Sequence, residues 1–142
     1  MAIVGLRLDA TEEYVSPNDG DKGTDKATVF TLGTLSARVQ TTLKDRSTRF
    51  TSDPNAENGV VAEFLPFTAS YDTVRCGVVG WSNFADGTGE EILFKASTGT
   101  IGGVKVQLVA EECMDRLPVD LIRELSDRIN EINSMSETDS GN

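Results

Sequence analysis

Apolar positions along this chain come in short runs separated by glycine, asparagine and acidic residues, and the period of each run sets the element it predicts. Thr28 to Leu32 joins β-branched and aromatic residues and stops at Gly33, which predicts a strand. Leu35, Val39 and Leu43 then recur every four residues on one helical face, with Thr34 or Ser36 available as N-cap. This predicts a helix ending near Arg46. Phe50 is expected to return the chain to the core before Asp53, Pro54, Asn55, Asn58 and Gly59 turn it.

Tyr71, Val74, Val78 and Trp81 again follow helical spacing, predicting a second helix from Ser70 that is capped by Thr68 or Ser70. Gly77 and Gly80 fall inside it, at about 1 kcal/mol each relative to alanine, so another backbone is expected to pack close there. Ser82 to Gly89 reads as a surface loop that carries Phe84 back toward the core. Glu91 to Lys95 and Val104 to Val109 have strand length and pattern, and a long loop through Thr98-Gly99-Thr100 and Gly102-Gly103 joins them into a hairpin. The clearest element is the last. Pro118 and Asp120 suit a helix start, and Leu121, Ile122, Leu125, Ile129 and Ile132 form one stripe, predicting a helix over 119–133 with Glu124 and Arg128 paired on its exposed face.

These elements predict an α+β fold: one compact domain over 28–134, with a small antiparallel sheet and hairpin packed against about three helices. Asp9 to Lys26 alternates acids with Gly20, Gly23, Pro17 and Asn18 and cannot build a core, so 1–27 reads as an exposed arm. Ile3, Val4, Leu6 and Leu8 at its start are placed to add a strand or to anchor the arm on a neighbour. Residues 135–142 are serine-rich and acidic, and read as a solvated tail.

Composition narrows the function. A chain of 142 residues has the size of one domain, and its 13 Lys plus Arg against 23 Asp plus Glu give a net charge of -10. That field repels a phosphate backbone and an anionic bilayer leaflet, so neither nucleic acid nor membrane is an expected partner. No apolar run approaches the ~20 residues a bilayer span needs, and the first residues lack the basic start and apolar centre of a signal peptide. Synthesis and folding in the cytosol are expected. Histidine is absent, which removes Ser/His and Cys/His nucleophile systems. Cys76 and Cys113 lie too far apart in sequence to resemble a zinc pair, and are expected as buried small hydrophobes.

The remaining candidates for chemistry are weak. Asp19, Asp21 and Asp25 suggest a calcium loop, but an EF-hand begun at Asp19 would put Thr24 at the glycine position and Phe30 at the bidentate glutamate. A solvated acidic loop is the better reading. Glu90 with Glu91, and Glu111 with Glu112, are sequence neighbours that point apart and do not converge on one atom. Gly99, Gly102 and Gly103 do not stand between a strand and a helix as a phosphate loop requires. Lys44, Arg46 and Arg49 are the one basic cluster, suited to an acidic protein surface. No catalytic residue, metal ligand or cofactor is expected. Surface contact through the arm (Ile3, Leu6, Leu8) and the hairpin tip (Thr100, Ile101) is expected instead, with Trp81, Phe84, Phe64 and Phe67 as candidate aromatic anchors, although such residues more often fill the domain's own core.

Laid end to end, Thr28-Val29-Phe30-Thr31-Leu32, Leu35 to Asp45, VRCGVVGWSNF from Val74, DGTGEEILF from Asp86 and LPVDLIRELSDRINEINSMSE from Leu117 resemble the layout of small tailed-bacteriophage morphogenesis proteins. The closing helix is also similar to that of phage tail assembly chaperones. The resemblance covers most of 28–137. It implies a non-enzymatic virion component at the neck, head-to-tail junction or capsid exterior, made in the bacterial cytoplasm. Its implied partners are portal, adaptor, capsid or tail proteins and further copies of itself in a ring or other symmetric set. A transient tail assembly chaperone is the second expectation, and a small cytosolic enzyme the third.

Overall fold

Backbone hydrogen bonding sorts residues 2–134, those described by the computed structural model, into seven strands and four helices. In chain order these are β1 (Thr11–Tyr14), β2 (Val29–Gly33), α1 (Ala37–Arg46), β3 (Thr48–Ser52), β4 (Val60–Phe64), α2 (Pro66–Gly77), β5 (Val78–Ser82), β6 (Ala96–Ile101), β7 (Val104–Val109), α3 (Glu111–Met114) and α4 (Val119–Ile132). The α+β class is as expected. In place of one small sheet there are three antiparallel ones, β1-β2-β5, β3-β4 and β6-β7. The tail expected at 135–142 lies outside the described residues.

Two helices follow their sequence signals closely. Ser36 caps α1 by accepting a hydrogen bond from the Val39 amide at 3.3 Å, and the helix buries Val39 and Leu43. α4 turns Ile122, Leu125 and Ile129 inward, and its C-terminal end is fastened by Asn133. The Asn133 Oδ1 accepts the Leu35 amide at 2.8 Å while its Nδ2 donates to the Ile129 carbonyl at 2.8 Å, so one buried side chain ties α4 to the turn before α1. Leu32, Val39, Val74, Val78, Val109, Met114, Leu125 and Ile129 form the fully enclosed centre. Cys76 and Cys113 are buried and unpaired with each other, and burial pushes the Cys76 thiol up to about 11, which keeps it protonated at neutral pH.

The second helix departs from expectation. α2 begins at Pro66, four residues before the expected start, and stops at Gly77, so Val78 and Trp81 belong to β5. Proline at the first helical position fixes the start, because its missing N–H would be unpaired there anyway. The close neighbour at Gly77 is a side chain and not the backbone expected: a Cβ there would stand 2.7 Å from Ile129 Cδ1 and 2.9 Å from Ile129 Cγ2. At Gly80 the nearest atom would be Thr31 Cβ at 3.9 Å, an ordinary contact.

The later segments shift as well. Glu91–Lys95 is not a strand; its backbone bonds are scattered, with the Ile92 amide donating to the Phe84 carbonyl at 2.7 Å, Trp81 Nε1 donating to the Ile92 carbonyl at 2.8 Å and the Ala110 amide donating to the Lys95 carbonyl at 2.9 Å. The hairpin is built from β6 and β7, and its loop is only Gly102-Gly103, with φ +59° and +78° as a type I′ turn demands. Phe50 does not return to the core. It lies 68 % exposed on β3, and the stretch expected as turn alone closes a β3–β4 hairpin. The front arm is not free either: β1 pairs with β2 along Thr11↔Gly33 to Tyr14↔Phe30.

Candidate docking surfaces

The β3–β4 hairpin presents an exposed apolar face. Cross-strand partners share a face, so Phe50 with Ala62, Thr48 with Phe64 and Ser52 with Val60 lie together on one side, and Arg49 with Glu63 and Thr51 with Val61 on the other. Phe50, Val60 and Phe64 are 68 %, 50 % and 61 % exposed. Among the described residues β3 and β4 pair only with each other, so each leaves one row of backbone N–H and C=O groups open there. A two-stranded ribbon is marginally stable alone, which makes an apolar face and two open edges unusual unless a partner covers them.

At the root of the ribbon a cleft of about 330 Å³ opens between α1 and α2, lined by Leu35, Leu43, Ser47, Phe64, Ala69 and Thr73. Lys44 stands at its margin, and Lys44 and Arg46 are exposed in the last turn of α1, where the helix dipole favours cations. Arg49 is not free: its Nε donates to Glu63 Oε2 at 3.1 Å across the ribbon. Phe67, in the first turn of α2, is 67 % exposed, with the Arg123 guanidinium 5.9 Å from its ring centre.

The arm forms a second surface. Ile3, Val4, Leu6 and Leu8 are exposed, and a cleft of about 450 Å³ separates residues 3–7 from Thr34 and Ile132. Behind them the chain is clasped tightly. Glu124 accepts from Tyr14 Oη at 2.9 Å and Ser16 Oγ at 3.0 Å, and Arg128 Nε donates to Glu12 Oε2 at 2.8 Å while Nη1 donates to Glu131 Oε2 at 2.8 Å. The expected Glu124–Arg128 pair is therefore replaced by contacts with the arm. These carboxylates raise the Arg128 pKa further above its ordinary value, through the bond from Glu12 first and that from Glu131 second.

Burial, and then the bond to Glu124, push the Tyr14 phenol up to about 12 from 10.0. An unfolded chain loses that proton near pH 10 and the clasped one near 12, so the stabilisation is complete below pH 10 and is lost as pH climbs to 12. The difference in tyrosinate absorbance between the native protein and Tyr14→Phe is expected to show a step close to pH 12; a step at pH 10 would mean that the clasp is not formed.

The other expected contact residues are placed differently. Ile101 is only 4 % exposed and faces the core, and the tip beyond it rests on α1, where a Cβ on Gly102 would meet Thr42 Oγ1 at 2.4 Å. The tip does not protrude; Thr100 alone of the pair is exposed. Trp81 and Phe84 are half-buried in a group of edge-on rings, with Phe30–Trp81 centroids 5.9 Å apart, Trp81–Phe84 5.3 Å and Trp81–Phe94 5.0 Å. They anchor the domain's own interior. Of the four aromatic residues proposed from sequence, Phe64 and Phe67 are the exposed ones.

Groups with catalytic or metal-binding appearance have local duties. The Asp19 carboxylate accepts the Asp21 and Thr28 amides, both at 2.8 Å, closing the loop onto β2. Asp86 accepts from the Thr88 hydroxyl and amide and from the Glu90 amide, which together hold its carboxyl below the usual range, and Arg116 pairs with it at 3.1 Å. Glu111 faces Arg75 at 3.9 Å and Glu112 faces Lys95 at 3.8 Å, in separate directions. Among the described residues, no three His, Cys, Asp or Glu side chains gather as a metal site, and no helix is long and apolar enough to cross a membrane. Comparison with protein-family models, curated proteins and solved structures finds no match to this chain.

Proposed function

We propose that this chain is a non-enzymatic structural component of a tailed bacteriophage particle, docking at the neck, head-to-tail junction or capsid exterior in several copies. The observation that carries this reading is the apolar face of the β3–β4 ribbon, with Phe50, Val60 and Phe64 in solvent beside two open strand edges. Such a face gains free energy when another polypeptide covers it, at about 25 cal/mol per Å² of apolar surface, and the open edges offer a strand partner ready-made hydrogen bonds. The segments that resemble phage morphogenesis proteins suggest which polypeptides those are, and Lys44 and Arg46 at the ribbon's root suit an acidic patch on them.

Joint replacement Phe50→Asp and Phe64→Asp is expected to leave the thermal midpoint nearly unchanged, because neither ring is enclosed. Binding of a hydrophobic dye should fall. In particles assembled from the encoding phage, quantitative mass spectrometry should show incorporation reduced tenfold or more. Wild-type chain at fixed copy number in mature particles supports the structural role. Its presence only before maturation would replace that role with the tail assembly chaperone, and a gene outside any phage cluster would overturn both.

A further inference from the structure

We infer that Thr11–Asn18 is an exchangeable clasp, so that copies of this chain link by trading arms across the β2 edge. This rests on reading the chain as a multi-copy docking component. All that the clasp requires of the body is in view: the β2 edge, which pairs with Thr11 to Tyr14; Glu124, which accepts from Tyr14, Ser16 and Asn18; and Arg128, which holds Glu12. None of these depends on which chain supplies the arm, and the Glu12–Arg128 pair makes the match one of charge as well as register.

The connection permits the exchange. Residues 17–26 carry no helix or strand and bond mainly to one another, with turns such as Lys22 to Asp19 and Thr24 to Asp21. Asn18 to Glu124, at the clasp end, and Asp19 to Thr28 and Asn83 to Asp25 are its ties to the body. Drawn out, ten residues reach roughly 33 Å, enough to cross to an adjoining copy. The drive lies ahead of the clasp. In the closed chain Ile3, Val4, Leu6 and Leu8 are 83 %, 59 %, 42 % and 61 % exposed. Exchange keeps every clasp contact and brings a second body alongside to cover those side chains, so mass action favours it wherever copies are concentrated. The net charge of -10 on each copy opposes approach, so salt should promote it.

Charge reversal gives the decisive test. Chains with Glu12→Arg have two cations in their own clasp, and chains with Arg128→Glu have two anions; each should dock its own arm poorly. Mixed, they restore a complementary pair in both clasps only by exchange. Native mass spectrometry is expected to show a heterodimer that increases with concentration and salt. Neither variant alone should match it. As a second measure, single variants Glu13→Cys and Thr31→Cys, whose positions face each other across β1 and β2, should form a disulfide between chains when mixed and oxidised. A mixture that yields neither the heterodimer nor the interchain link, even after refolding together from denaturant, overturns the exchange. In that event, reduced incorporation of the Phe50/Phe64 variant would leave the docking reading standing. If the arms exchange but that variant incorporates normally, the ribbon reading falls and the exchange remains.

Discussion

Replacement of Asn133 by leucine is expected to destabilise the domain by about 2–4 kcal/mol, although the two side chains are similar in size. The native amide is 8 % exposed and satisfies two backbone groups at once, the Leu35 N–H and the Ile129 carbonyl. Leucine would leave the amide without a partner where water does not reach, at a desolvation cost of about 1–3 kcal/mol. The carbonyl is less exposed to loss, since the Asn133 backbone amide also donates to it at 3.1 Å. The stated range therefore includes strain from forcing apolar bulk against polar backbone. For a domain of this size the thermal midpoint should fall on the order of 10 °C. Asn133→Asp keeps the acceptor for Leu35 but loses the donor to Ile129, so it should lie between the two. A leucine variant as stable as the native chain would mean that α4 is not anchored to α1 through this side chain.

Substitution of Gly77 by valine is expected to cost about 1–3 kcal/mol or more, against the usual benefit of removing a helical glycine. The reason is the distance to α4. A Cβ at 77 would stand 2.7 and 2.9 Å from two carbons of Ile129, and Ile129 is fully enclosed, so it has little room to retreat. Gly77→Ala tests the same contact with the smallest possible side chain. Shortening Ile129 to valine in the alanine background should recover part of the loss, giving a non-additive double-mutant cycle by denaturant unfolding. Additive effects would show that the helices do not touch at this point.

Both predictions concern α4, the element most legible from sequence. Its stripe of Leu121, Ile122, Leu125, Ile129 and Ile132, opened by Pro118, marks a helix whatever it packs against, and the structure places it at Val119–Ile132. The cap at Ser36 and the stripe Val39 and Leu43 fixed α1 in the same local way. The error at Val78 and Trp81 has a geometric cause. These residues are three apart, as on one helical face, yet they oppose Leu32 and Phe30, which are two apart on β2. An irregularity in the pairing between Thr31 and Leu32 takes up the extra residue and brings both side chains to the core side, so a bulged strand carried a helical period.

The docking surface was legible only in part. Phe64 and Phe67 are aromatic residues that sequence marks as able to meet a partner, but Phe50 is expected in the core because large apolar residues are usually buried. A signal was present: Thr48 to Ser52 and Val60 to Phe64 are two runs of strand length carrying β-branched and aromatic residues on either side of a turn of Asp53 to Gly59. What such a pattern cannot say is whether its apolar side meets the domain or faces water. The same limit placed Ile101 on a protruding tip, when two consecutive positive-φ glycines fold that tip tightly against α1.

By itself, then, the sequence determined the α+β class, the cap of α1, the stripes of α1 and α4, and the acidic charge, because each depends on residues within a few positions of one another or on a simple count. Only the tertiary structure decided that Glu12 would meet Arg128, that Gly77 would admit Ile129, and that the ribbon's apolar face would be left outside. Those outcomes depend on which distant surfaces come together when the core closes, and local spacing carries no information about that.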